Sequence, residues 1–156
     1  MKSHVVLAAL AATLAATSAF AEVAPTEVTF EEGAVAQSLT GTAGNAEEGS
    51  KIVANRALGN CVACHVISAN SADFQGNIGP TLDGAADRWS EAQLRGIVVD
   101  AKHTFPDSVM PGMFKTGPYI RPGDAYTGKA APADLPPILT AAQVEDVVAY
   151  LLTLKE

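Results

Sequence analysis

The chain carries two cysteines, and both stand in one pentapeptide, Cys61-Val62-Ala63-Cys64-His65. Few short motifs restrict a small fold as tightly. A disulfide between thiols this close would close only a very small loop. A thioredoxin-like redox pair would follow a strand in a βαβ pattern, whereas the segment upstream of Cys61 reads as helical. A zinc site needs further cysteine or histidine ligands, and the remaining histidines are His4, near the N-terminus, and His103, which stands alone. The fourth reading uses every reactive side chain of the motif. The two thiols add across the vinyl groups of a haem, and His65 lies under the iron as the proximal ligand. One covalently bound haem c is therefore expected, attached through Cys61 and Cys64, with no thiol left over.

The N-terminus agrees with that chemistry, since c-type haem is attached outside the cytoplasm. Lys2 provides a positive start, the apolar run Val5–Ala16 is too short to span a bilayer, and Ala19-Phe20-Ala21 is a small-x-small cleavage pattern. Residues 1–21 are expected to be a signal peptide cleaved after Ala21, and the periplasm is the expected location. Residues 22–156 then hold nine Lys and Arg against seventeen Asp and Glu. An acidic chain of that kind lacks the basic patches that nucleic acid or anionic membranes require, so neither is an expected partner. The length suits one domain.

Hydrophobic periodicity and capping signals place the elements. Residues 22–44, rich in Thr, Gly and Ala, show no sustained period and read as an N-terminal extension. Asn45 with Glu48 opens a first helix that is expected to run to Gly59-Asn60. Ser90 with Gln93 opens a second, with Leu94, Ile97 and Val98 at helical spacing, and Pro106 stops whatever continues. Thr140 with Gln143 opens the last, where Val144, Val147, Val148 and Leu151 form one stripe. Between them, residues 111–139 hold six of the nine prolines and four glycines. No helix fits there, yet Tyr119, Ile120, Tyr126 and Leu135 suggest an ordered loop. The fold class is all-α with long loops.

An iron with one histidine needs a sixth ligand or stands open to substrate. Met110, Met113 and His103 are the candidates. Two methionines in a Pro-Gly loop argue against ordinary gap-filling, and a stiff loop suits a thioether held on iron, but the residues alone leave the choice open.

The order CVACH, GPTL, MP and a C-terminal helix containing Tyr150 resembles the class I cytochromes c over residues 45–156. The resemblance implies a class I cytochrome c fold, here with an N-terminal extension and a long loop before the last helix. It implies that the Pro80 carbonyl orients His65 and that Trp89 meets a haem propionate. It selects Met110 as the sixth ligand, because the Trp89-to-Met110 separation and Pro106 both match the mitochondrial member. It also places Gly49 against Tyr150, at the crossing of the first and last helices. His/Met ligation raises the reduction potential and suits outer-sphere electron transfer.

The long loop, the extension and the lack of a lysine-rich edge, where Lys102 and Lys115 are the nearest candidates, depart from freely docking members. GNCVACH, GNIGPTL, RWSEAQLRGIVVDAK and DSVMPGMFKTG are similar to one branch, the monohaem subunits of thiosulfate-oxidising SoxAX complexes. That resemblance implies a heterodimer with a SoxA-type catalytic cytochrome subunit. The complex would couple thiosulfate oxidatively to a cysteine of a SoxY-type carrier protein, an L-cysteine S-thiosulfotransferase activity. This chain would relay the electrons to a diffusible cytochrome c, with no catalytic residue of its own. Tyr119, Arg121 and Tyr126 are candidate interface residues. The alternative is an independent diffusible periplasmic carrier with the same ligands. An open-haem enzyme or sensor, and a disulfide-bonded module without haem, are more distant alternatives.

Overall fold

The computed structural model describes residues 21–119, 123–124 and 128–156. It is predominantly helical: α1 (Ala46–Ala54), a short α2 (Ala85–Arg88), α3 (Glu91–Asp100) and α4 (Ala141–Leu151). A small antiparallel pair, β1 (Gly123–Asp124) with β2 (Lys129–Ala130), lies inside the long loop and pairs Gly123 with Ala130. Among the described residues no helix is long and apolar enough to cross a membrane.

Two helix starts are built by reciprocal capping boxes. Ser90 Oγ accepts the Gln93 N–H while the Gln93 side chain accepts the Ser90 N–H at 3.0 Å. Thr140 and Gln143 repeat this at α4, at 3.2 and 2.9 Å. Each box satisfies donors that a helix start otherwise leaves open. At α1 only half of the expected box forms. Asn45 Oδ1 accepts from Glu47 and Glu48, but the Glu48 carboxylate turns to Lys51 at 2.7 Å, and the Asn45 N–H goes instead to Asp146 at 2.6 Å.

The end of α1 differs from expectation. The helix stops at Ala54 rather than at Gly59-Asn60. Asn55 is the cause: its side chain accepts the Ala57 N–H at 2.9 Å, and its carbonyl accepts from Leu58 and Asn60. A side chain bonding its own downstream backbone competes with the helix. Likewise α3 ends at Asp100, before Pro106, because Asp100 Oδ1 accepts the Lys102 N–H and starts the 3-10 turn Ala101–His103.

The core lies where α1 crosses α4 and α4 meets α3. Val53, Val98, Val144, Val147, Val148 and Leu151 are buried in it. Gly49 marks the α1–α4 crossing. A Cβ there would overlap the Asp146 main-chain carbonyl and stand 2.8 Å from Tyr150 Cβ, so the two helix backbones approach each other directly.

Residues 22–44 are not a loose appendage. Val35 and Leu39 are buried in the core. Glu32 and Gly33, both with positive φ, form a tight turn bridging Glu31 and Ala34 that crosses α3 at Gly96. The Val35 N–H bonds the Ala92 carbonyl at 2.9 Å. Below it lies a buried ion pair: Arg95 donates from Nε to Glu145 Oε1 at 2.8 Å and from Nη2 to Oε2 at 3.0 Å. The same guanidinium donates to the Val35 carbonyl, and Glu145 accepts the Leu39 N–H at 2.8 Å. One charged pair thus ties the extension to both α3 and α4, and every buried polar atom in it finds a partner.

Candidate functional site

Cys61–Ala63 form a single 3-10 turn that Cys64 closes, with Cys64 and His65 N–H groups both donating to the Cys61 carbonyl at 3.0 and 2.9 Å. Positions i and i+3 of such a turn share a side, and His65 follows Cys64 directly. The turn therefore groups two free thiols and an imidazole, with Cys61 and Cys64 both half-buried. Asn60 enters it in the left-handed region at φ 46°. Burial, outweighing the backbone bond that opposes it, pushes the Cys61 thiol up to about 11.

A strap of residues 76–82 lies across this turn. Gly76, Gly79 and Leu82 donate to the carbonyls of Val62, Cys64 and Val66 at 2.8, 2.8 and 2.9 Å. Gly79 lies against the imidazole: a Cβ there would stand 2.6 Å from His65 Nδ1 and 2.8 Å from Nε2. His65 Nδ1 then meets the Pro80 carbonyl at 2.7 Å. A carbonyl only accepts, so Nδ1 carries the proton, and Nε2 is left with its lone pair available to a metal. Gln75 stiffens the approach: its Oε1 accepts the Ile67 N–H, and its Nε2 donates to the carbonyls of Ile67, Asn70 and Ala72.

The three candidates for a sixth ligand are held differently. Met113 is 5 % exposed in the core, its N–H donating to Val98 and its carbonyl accepting from Leu139. His103 stacks flat on Phe30 of the extension, with centroids 3.6 Å apart. Met110 packs half-buried against the core edge. Trp89, the residue after α2, is also half-buried and meets the Phe105 ring edge-on at 5.9 Å. Beside these groups in sequence, Val66, Ile78 and Val109 are apolar and exposed. Thiols, an imidazole with one nitrogen locked, and apolar neighbours are a donor set and lining that fit a covalently held haem. Among the described residues no three His, Cys, Asp or Glu side chains gather as a metal site of another kind.

Sequence reasoning missed Gly79 and Gln75, whose loop carries no periodicity. Lys102 and Lys115, the nearest candidates by sequence for a lysine-rich edge, both have partners within the chain. Lys102 Nζ donates to the Met110 carbonyl at 3.1 Å, and Lys115 Nζ to Asp100 at 2.7 Å. Of the candidate interface residues, Tyr119 is exposed on its ring and donates its hydroxyl to the Lys115 carbonyl; Arg121 and Tyr126 lie outside the described residues, as does Ile120.

The family model for cytochrome c matches residues 46–155. Among solved structures, the chain is similar to one in the crystal structure of SoxXA from P. pantotrophus, at 58% identity and a TM-score of 0.83, covering 87% of this chain and 100% of that one. No curated protein sequence matches it. A family match across most of the chain, on a fold that groups Cys61, Cys64 and His65 on one turn, places it: the chain belongs to the cytochrome c family, in the branch of SoxX-type subunits.

Proposed function

We propose that this chain is the electron-transfer haem c subunit of a SoxAX-type thiosulfate-oxidising complex, with catalysis carried by its SoxA-type partner. The observation that carries this is the 58% identity over the whole of a SoxXA chain. In this reading residues 1–21 are a leader cleaved on export and the protein is periplasmic.

Cys61 and Cys64 would hold the haem, His65 would ligate the iron through Nε2, and Met110 would supply the sixth ligand. Met113 is committed to the core and His103 to Phe30, which supports Met110 among the three. When bound, the haem supplies one-electron redox chemistry. The chain's own groups do the rest. Pro80 fixes the tautomer and direction of His65, the strap 76–82 holds the attachment turn, and Trp89 would face a propionate. His65 and Met110 are both neutral, and a soft sulfur donor would favour the ferrous state of the bound iron and so a high potential. In this reading the chain takes electrons from its partner as thiosulfate is joined to a cysteine of a SoxY-type carrier, and passes them to a diffusible cytochrome c.

The test is size-exclusion chromatography of the native periplasmic protein, followed by a haem-stained denaturing gel. A second, larger c-type cytochrome co-eluting one-to-one is the expected result. Elution as a lone monomer would make the chain an independent diffusible carrier.

A further inference from the structure

Both backbone polar groups of Met110 are held by side chains. Its N–H donates to Ser108 Oγ at 3.2 Å, and its carbonyl accepts from Lys102 Nζ at 3.1 Å. Three residues on, the backbone is fixed again. Met113 and Phe114 donate to the carbonyls of Val98 and Val99 at 3.2 Å each. Those carbonyls lie in the last turn of α3, where helix geometry leaves acceptors unfilled. The loop therefore completes the helix end, and the helix end fixes the loop.

Between the two fixed points sits Pro111-Gly112. Pro111 has no N–H to satisfy. Gly112 lies flat on the Asp100–Lys115 pair, since a Cβ there would come within 3.1 Å of Asp100 Cγ and overlap the Lys115 stem. That pair is closed at 2.7 Å, with the carboxylate only 10% exposed. Asp100 also caps the turn that carries Lys102. Both lysines stand at the negative end of α3, where the helix dipole favours cations.

We infer that Lys102 and the Asp100–Lys115 pair form a positioning clamp for the sixth ligand: they fix the backbone of residues 110–114 so that the Met110 sulfur is presented to the iron in one place. This rests on the reading of Met110 as that ligand. A methionine side chain has three rotatable bonds and directs nothing by itself. Fixing its peptide groups on both sides fixes the point and direction from which the side chain leaves, so that only the side-chain torsions remain to be ordered, which helps a weak ligand bond hold against competitors.

The test uses the haem-loaded full chain and four variants: Lys102→Met, Lys102→Arg, Lys115→Met and Met110→Ala. Two readouts report on the sixth ligand: the sulfur-to-ferric-iron charge-transfer band, and titration of the ferric protein with imidazole, which competes with the thioether. Lys102→Met is expected to weaken the band and raise imidazole affinity about tenfold, equivalent to about 1.4 kcal/mol. Lys102→Arg restores most of both. Lys115→Met shifts imidazole affinity in the same direction. Met110→Ala loses the band altogether. If both lysine-to-methionine variants keep the wild-type band and imidazole affinity while Met110→Ala loses the band, the clamp is refuted and Met110 ligation stands. The clamp is equally refuted if those variants lose thermal stability without any change in imidazole affinity. If Met110→Ala keeps the band, the ligand assignment fails and takes the clamp with it.

Discussion

Gly49→Ala separates two forces that act in opposite directions at the α1–α4 crossing. Helix propensity alone favours alanine by about 1 kcal/mol in a helix interior. Packing opposes it. The added methyl would lie inside the Asp146 carbonyl, 2.6 Å from its carbon and 2.8 Å from Tyr150 Cβ. Ordinary carbon contacts sit at about 3.5–4.0 Å, so the helices must part by about an ångström. The atom that blocks the methyl is backbone, which no rotamer change can move. A gap of that size forfeits up to about half of each dispersion contact along the crossing, and overpacking a tight core costs about 1–3 kcal/mol. With the crossing central to the core, the upper end applies, and the net loss is about 2 kcal/mol after the propensity gain. That corresponds to a Tm lowered by roughly 4–10 °C. The assay is thermal unfolding of the haem-loaded protein followed by far-ultraviolet circular dichroism. A variant as stable as wild type, or more so, would refute the close crossing.

The remaining predictions concern the ligands and the buried charges. Met110→Ala opens the iron to carbon monoxide in the ferrous state, whereas Met113→Ala leaves the low-spin spectrum intact and lowers stability by about 2–5 kcal/mol as a core truncation; exchanged behaviours would reverse the ligand assignment. Glu145→Gln keeps the volume but leaves the buried Arg95 guanidinium with only the exposed Glu91 as a carboxylate partner, and should cost about 3 kcal/mol in denaturant unfolding; a loss below about 1 kcal/mol would show that the pair contributes little. Burial alone would raise the Asp100 carboxyl, but the bonds from Lys115 and the Lys102 N–H outweigh it and hold the group below its ordinary value. The stability it confers is thus complete above the unfolded carboxylate value of about 3.9 and is lost as pH falls through the lowered folded value. Asp100→Asn should be less stable than wild type at pH 7, with the difference shrinking below about pH 4; a difference constant across that range would overturn the assignment.

Legibility in the sequence followed the range of each interaction. The attachment turn could be read because its chemistry is local, with thiols and imidazole three and four positions apart. The boxes at Ser90 and Thr140 were likewise local, and the stripe of α4 announced its buried face. The end of α1 was misplaced because Asn55 decides it through a two-residue side-chain bond, which periodicity does not register. The burial of Val35 and Leu39 rests on partners 57 and more positions away, at Ala92 and Glu145, and the Thr-, Gly- and Ala-rich segment that carries them has no period to betray it. The bond from Lys102 to Met110 was not legible, since its acceptor is a carbonyl that comes within reach only once the loop has turned.

The tie between Leu39 and Glu145 also sets an order of events. The two are separated by 106 residues, and a chain made from its N-terminus must wait for its final helix before that bond can close. Contacts of such separation form late. The extension, made first, is therefore among the last segments to be fixed, and it is α4, the last helix made, that fixes it.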